Sequence, residues 1–462
     1  MDGVPRRVRA RAAVPSVKER KMNFETLGLH AALLRALADA GYDAPTPVQA
    51  QAVPAALAGA DLMVASATGS GKTAAFVLPA LQRLLTERAS GRRETSERGV
   101  PQGPRVLVLV PTRELALQVA KAAIGYGRHV QGLRVATVVG GVPYGAQLKA
   151  LRGPLDLLIA TPGRLMDHMA SGKAVLGRVQ VLVLDEADRM LDMGFIDDIH
   201  HIAQALPAAR QTLMTSATFA GPVGRLAAEL MREPRRIEVD SHTDSHADIE
   251  QRLHWADDLA HKNALLDHIL TERGVEQAVV FTSTQRDADW LADRLADMGH
   301  AVASLHGGMP QGRRNRVLEG LRRRHLRVLV ATDVAARGID VPTISHVVNY
   351  GLPMKAEDYV HRIGRTGRAG RSGLAVTLAE RRDFGMIQRI QRFTTQHIPA
   401  ATIAGLEPKR AEPRPAPRPA GARGRPERRP GAGPRGARPQ GRSAAGGAGA
   451  RSGKPPQGPR PR

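Results

Sequence analysis

Short apolar runs, each broken off by a polar turn, recur along most of this 462-residue chain with helix-length stretches between them. Leu62–Ala65, Val106–Val110, Val135–Val139, Leu155–Ala160, Val181–Leu184 and Gln211–Thr215 form a first block. Ala278–Thr282, Ala301–Leu305, Arg327–Ala331, His346–Tyr350 and Leu374–Leu378 form a second. Unbroken apolar strands belong to parallel sheets covered on both faces, and strand–helix alternation is the pattern of doubly wound α/β domains. Two blocks therefore predict two such domains in tandem. Ligands of open parallel sheets sit outside the carboxyl ends of the strands, so the residues after each run are the ones to read for chemistry.

Val181–Leu184 runs straight into Asp185-Glu186-Ala187-Asp188. Asp185 can hold a Mg²⁺ ion, and Glu186 can orient or deprotonate a water. Taken alone, the stretch is better explained as a solvated acidic loop. A second motif changes that reading. Leu62–Ala65 leads into Ser66-Ala67-Thr68-Gly69-Ser70-Gly71-Lys72-Thr73, and the helical run Ala74–Leu85 follows. Strand, Gly-rich turn, Lys-Thr and helix compose a phosphate-binding loop. The backbone N–H groups of Thr68, Gly69, Ser70 and Gly71 close on phosphate oxygens at a helix N-terminus. Lys72 meets the β- and γ-phosphates, and the Thr73 hydroxyl completes a Mg²⁺ site with Asp185. The strict pattern has Gly at position 66, where this chain has Ser.

Other strand ends offer weaker signals. Gln49, in Gly41-Tyr42-Asp43-Ala44-Pro45-Thr46-Pro47-Val48-Gln49, can pair with adenine through its amide, and Phe24 can stack on the base. On spacing alone, a Pro-bounded loop accounts for Gln49 better. Pro111-Thr112-Arg113, Gly140-Gly141 and Thr161-Pro162-Gly163-Arg164 present hydroxyls, N–H groups and Arg suited to phosphates rather than bases. Capped helix starts account for them equally well. Ser216-Ala217-Thr218 places two hydroxyls at another strand end. The second block has no phosphate loop, but His361 to Arg368 hold four cations. They read as a clamp on a transferred phosphoryl group, where an arginine finger contributes roughly 10³–10⁵ in rate; a basic RNA-binding loop is the rival reading.

The absence of cysteine excludes disulfides, thiolate metal sites and thiol nucleophiles, and suits a reducing cytoplasm. No apolar run approaches the roughly 18 residues of a membrane span. Residues 1–22 form an Arg-rich arm without the apolar core of a signal peptide, or precede a true start at Met22. A net charge of +23 calls for a polyanionic partner. Residues 409–462 carry fifteen Lys or Arg against two Glu, and from Pro408 the chain is Pro, Gly, Ala and Arg. Such a segment is expected to be disordered and to bind nucleic acid nonspecifically. The domain plan is a basic arm at 1–22, α/β domains at 23–240 and 251–400, a polar linker at 241–250 and a tail at 401–462. Aromatics are 3% of residues, so recognition through the phosphate–sugar backbone is expected over base stacking.

Asp185-Glu186-Ala187-Asp188 spells the name of the DEAD-box ATP-dependent RNA helicases. The chain resembles that family over residues 23–395, with the motifs in the family's order. It looks most like the bacterial RhlE-like group, with a short helicase core and a basic tail. The resemblance implies two tandem RecA-like domains that use ATP and Mg²⁺ and close on the RNA backbone to unwind short duplexes locally. It further implies a cytoplasmic monomer, without a membrane, in ribosome-assembly or RNA-degradation complexes. By the same resemblance Phe24 and Gln49 select adenine, Lys72 and Thr73 bind phosphate and Mg²⁺, Asp185 is a metal-side carboxylate and Glu186 activates water. Arg365 and Arg368 match the arginine fingers, Gly338 and Asp340 match second-domain nucleotide contacts, and Ser216 and Thr218 match the motif coupling hydrolysis to strand separation. RNA contacts fall on Pro111, Thr112, Arg113, Gly141, Thr161, Gly163 and Arg164, and on Thr282, His306, Gly307, Gln311, Arg314 and Thr332. Departures are Ser66 for the usual Ala, Leu321 for Phe and Gly351 for a frequent Asp. The alternatives are a DNA translocase on the same core, or an RNA chaperone or scaffold that works through its tail.

Overall fold

The computed structural model describes residues 23–66, 70–90, 103–239, 248–336, 339, 341–368 and 371–413. The arm at 1–22, most of the expected linker, and Thr68, Gly69, Gly338 and Asp340 lie outside the described residues, as does the tail from 414. The chain divides at Pro413, and the unit Met1–Pro413 contains every described residue.

Two parallel sheets organise this unit. The first contains β1 (Leu62–Ala65), β2 (Val106–Leu109), β3 (Val135–Val138), β4 (Leu157–Ala160), β5 (Val181–Leu184), β6 (Gln211–Ser216) and β7 (Arg235–Glu238). Their order is β3-β4-β2-β5-β6-β1-β7. The second contains β8 (Ile249–Ala256), β9 (Ala278–Thr282), β10 (Val302–Leu305), β11 (Val328–Thr332), β12 (His346–Asn349) and β13 (Gly373–Glu380). Its order is β10-β11-β9-β12-β13-β8. Because side chains alternate across a strand, each apolar run feeds two cores. Val106, Val108, Val181 and Val183 pack on one face of the first sheet, while Leu107, Leu109, Leu182 and Leu184 pack on the other. In the second sheet Val280, Val328 and Val330 face one core, and Val279, Phe281 and Leu329 face the opposite one. Helices on both faces supply the covering layers, among them Lys72–Ala89, which buries Phe76, Val77, Leu78, Leu81 and Leu84.

Register brings the strand ends to one rim. Leu184 lies opposite Leu109 of β2 and Met214 of β6, and Ala65 lies opposite Ser216. The residues that follow these strands therefore emerge together.

The boundaries differ from the sequence reading in two places. Ile249 and Glu250, read as linker, open β8, which pairs with β13 along eight residues from Ile249 to Ala256. Residues 401–410, read as tail, are held against the second sheet. Ala400 bridges Leu253; the Leu253 N–H donates to Pro399 O at 2.9 Å, and the Ala401 N–H donates to Leu253 O at 2.8 Å. Ile398 is fully buried, Ile403 and Leu406 pack on the core, and the Asp257 carboxylate accepts from the N–H groups of Lys409 and Arg410. This strap covers the outer edge of β8. Among the described residues no helix is long and apolar enough to cross a membrane.

Candidate active site

The phosphate-loop region is held from the helix Pro47–Leu57. Thr46 caps that helix, and Gln49 completes a reciprocal capping box with it. Both side chains also reach the loop: Thr46 Oγ1 donates to Ser70 O at 2.8 Å, and Gln49 Nε2 donates to Gly71 O at 3.2 Å. Gln49 is thus a buried helix residue and not part of an open loop. Gly71 sits at φ +90°, and a Cβ there would come within 2.4 Å of Gln49 Nε2. Only glycine fits that approach and that backbone. Phe24 is 6% exposed and belongs to the first-domain core with Leu27, so stacking on a base requires its ring to leave that packing.

Lys72 and Thr73 open the helix Lys72–Ala89, and the Lys72 ammonium donates to Ser66 O at 2.7 Å. Ser70 Oγ lies 2.9 Å from Ser66 Oγ. At the end of β5, Asp185 is 4% exposed and accepts from Thr215 Oγ1 at 2.5 Å. Thr215 in turn accepts from the Glu186 N–H at 3.1 Å. Burial, with Glu186 alongside, pushes the Asp185 carboxyl up to about 6 against the opposing pull of Lys72. Glu186 adopts φ +56°, a left-handed conformation unusual for a non-glycine residue, and Arg189 Nε lies 3.4 Å from its Oε2. Asp188 accepts from the Ala217 N–H at 3.2 Å, and burial raises its carboxyl as well. Ser216 Oγ donates to Thr218 O at 2.7 Å. Two separate hydrogen-bonded links, Asp185–Thr215–Glu186 and Asp188–Ala217, therefore tie the acidic strand end to the end of β6 and the residue after it.

A divalent cation fits this donor set. Asp185 is a buried carboxylate held above its ordinary range, so a nearby positive charge stabilises its ionised form. One carboxylate and one threonine hydroxyl, with phosphates and water to fill an octahedron, suit Mg²⁺. Among the described residues no group of three or more His, Cys, Asp or Glu forms a self-sufficient metal site.

The expected nucleic-acid residues line the same rims. Pro111 and Thr112 are buried after β2, and Thr112 caps the helix Arg113–Tyr126 through the Leu115 N–H. Arg113 donates to Gly141 O at 3.0 Å, and Arg164 donates to Val142 O at 3.1 Å, so two cations brace the Gly140-Gly141 turn. Thr161 makes no side-chain cap, and Gly163 follows in the helix Pro162–Ala170. In the second domain Thr282 and Thr332 close β9 and β11, and His306 and Gly307 follow β10, with His306 Nε2 3.0 Å from Asp289. Gln311 opens the helix Gln311–Arg322, and its side chain lies beside Gly141 of the first domain. Arg314 donates to His306 O and pairs with Glu114 of the first domain at 2.9 Å.

The cations at 361–368 divide by role. Arg362 is 1% exposed; it is bidentate to Asp333 at 2.6 and 2.7 Å and lies on the Phe281 ring, so it is a core ion pair and not a clamp residue. Arg365 and Arg368 both donate to Ile339 O, at 2.9 and 3.4 Å. Thr46 and Thr215 are absent from the residues expected above. Thr215 sits inside a buried strand, Gln211–Ser216, that carries several polar residues, and nothing local marks its hydroxyl as the one that bonds the residues after β5.

The chain matches the family model described as DEAD/DEAH box helicase over residues 46–226 and the helicase conserved C-terminal domain over 261–370. It is 41% identical over 393 residues to the ATP-dependent RNA helicase SrmB of Escherichia coli, covering 84% of this chain and 86% of that protein. It is also 41% identical over 389 residues to the ATP-dependent RNA helicase DeaD of Escherichia coli, covering 84% of this chain but only 60% of that longer protein. Among solved structures, Dbp5 of S. cerevisiae bound to RNA and ADP BeF3 matches with a TM-score of 0.73 and 29% identity, over 82% of this chain and 95% of that one. With its phosphate-loop motif, its Asp-Glu-Ala-Asp strand end and its match to both family models and to these relatives, this chain belongs to the DEAD-box family of ATP-dependent RNA helicases.

Proposed function

We propose that the protein hydrolyses ATP to separate short RNA duplexes locally, or to remodel RNA–protein complexes, by closing its two domains on the RNA backbone. The observation that carries this reading is the pair of hydrogen-bonded links, Asp185 through Thr215 to Glu186 and Asp188 to Ala217. They tie the carboxylates expected at the nucleotide to the Ser216-Ala217-Thr218 segment expected to couple hydrolysis to strand separation. Lys72 leaves Ser66 O for a phosphate, Thr73 and Asp185 would hold Mg²⁺, and Glu186 takes the proton of the attacking water. The metal, when bound, neutralises charge on the β- and γ-phosphate oxygens. Arg365 and Arg368 leave Ile339 O to meet charge developing on the transferred group. Phe24 and Gln49 select adenine, and Gly338 and Asp340 complete the nucleotide contacts. RNA binding falls on the strand-end residues of both domains. We place the protein in the cytoplasm as a monomer acting in ribosome assembly or RNA turnover, with a first domain from residue 23 and a second that runs from β8 through the strap.

The deciding experiment is ATPase rate without nucleic acid, with single-stranded RNA and with DNA of matching sequence. Stimulation by RNA alone is expected. Glu186→Gln is expected to keep ATP binding and lower turnover by about 10²–10⁴. Equal stimulation by DNA replaces this reading with a DNA translocase, and no stimulation by either leaves a binding protein.

A further inference from the structure

The chain has five Tyr, seven Phe and two Trp. Several of these are buried in the cores, Phe76, Phe281 and Tyr359 among them. Tyr144 is placed differently. It opens the helix Tyr144–Arg152 just beyond the Gly140-Gly141 turn and keeps 38% of its surface exposed. Its ring lies flat on the imidazole of His168, with centroids 4.1 Å apart and planes 13° from parallel. Its hydroxyl is 2.8 Å from Ser171 Oγ. The Arg164 guanidinium carbon is 6.0 Å from the ring centre, and the same guanidinium braces Val142 O.

His168 beneath the ring is fully buried, and neither of its nitrogens has a hydrogen-bond partner. Burying an imidazole without partners is unfavourable. What the arrangement provides is an exposed tyrosine whose plane is fixed by stacking and whose hydroxyl is tethered. A flat, immobile aromatic beside a cation is the pairing that single-stranded nucleic-acid sites use, because every base has a π-face and stacking needs no particular sequence.

We propose that Tyr144 is a stacking platform for one unpaired base of bound single-stranded RNA, next to the backbone contacts of Gly141 and Arg164. The proposal rests on the RNA reading above and adds a base contact to a site otherwise built for phosphate and sugar. It keeps sequence independence, since any base can occupy the platform.

The test measures the affinity of the full-length protein, with a non-hydrolysable ATP analogue, for a short RNA and for an abasic ribose–phosphate strand of equal length. Wild type is expected to lose about fivefold or more in affinity when the bases are removed. Tyr144→Phe keeps the ring and is expected to keep that ratio, whereas Tyr144→Ala is expected to lower it by about fivefold. Equal affinity of wild type for both strands overturns the platform while leaving the RNA reading intact. So does a ratio unchanged by Tyr144→Ala. Absence of binding to either strand overturns the RNA reading and the platform with it. Because the first comparison uses wild type, a poorly folded variant does not remove the test.

Discussion

Asp185 is a carboxylate that the fold holds at a cost. In the folded chain burial lifts it from its ordinary 3.8 to about 6, so between those pH values the folded state keeps a proton that the unfolded state has released. Stability linked to this group is therefore greatest at low pH and falls as pH rises through the window, by about 3 kcal/mol at neutrality. Asp185→Asn removes the ionisation while keeping an acceptor for Thr215. It is expected to raise the melting temperature at pH 7 and to leave it nearly unchanged at pH 4, with ATPase activity lost at both. A variant that melts lower than wild type at pH 7 contradicts the account. Bound Mg²⁺ stabilises the ionised form, so the same imbalance favours metal binding above pH 6. The left-handed backbone of Glu186 belongs to the same economy, a local conformational penalty carried where the chemistry needs it.

The strap at 398–413 decides where the second domain ends. Removing residues from Ile398 onward takes away a fully buried isoleucine and the partly buried Ile403 and Leu406, and uncovers the core they pack on and the edge of β8. Burial of Ile398 alone contributes about 1.5–3 kcal/mol. Truncation after His397 is expected to lower the melting temperature by several degrees and promote aggregation, whereas truncation after Pro413 leaves it unchanged; thermal melts of the two proteins distinguish them. The strap was hidden from sequence reasoning because its apolar residues are small or isolated between Pro and Gly and form no strand-length run, and its pairing to Leu253 spans almost the whole second domain. β7 and β8 were hidden for a related reason. Both are sheet-edge strands: Arg235–Glu238 is largely exposed, and Ile249–Ala256 carries Glu, Gln, Arg and His among its apolar residues, so they lack the apolar run that marks β5 or β9. Central strands and the motifs after them were legible because burial on both faces forces apolar residues and then stops abruptly. The cross-strand hydroxyl of Thr215, the Gln49 tie to Gly71 and the inward turn of Arg362 depend on contacts far along the chain, and no local pattern announces them.

Across the whole molecule, the two domains meet through charges. Glu114 pairs with Arg314, and Asp192 pairs with Lys355, while Arg189 shares a cavity with Asp358, His361 and Arg365. Arg314 is also an expected RNA contact, so a carboxylate holds the group that a phosphate is expected to claim when RNA binds. Glu114→Gln and Arg314→Gln are each expected to raise the radius of gyration of the RNA-free protein by small-angle X-ray scattering. The double variant is expected to go no further, since the two changes break one pair. Additive expansion would show that the pair does not hold the domains together. The polarity of the sheets has a practical consequence. Much of the candidate chemistry follows the carboxyl ends of the strands, whereas Lys173 before β5 and Arg273 before β9 are exposed side chains that take no part in it. Since the chain has no native cysteine, a thiol introduced at each of these two positions is uniquely addressable by maleimide dyes. Energy transfer between the dyes then reports domain closure in single molecules with every reacting group left in place.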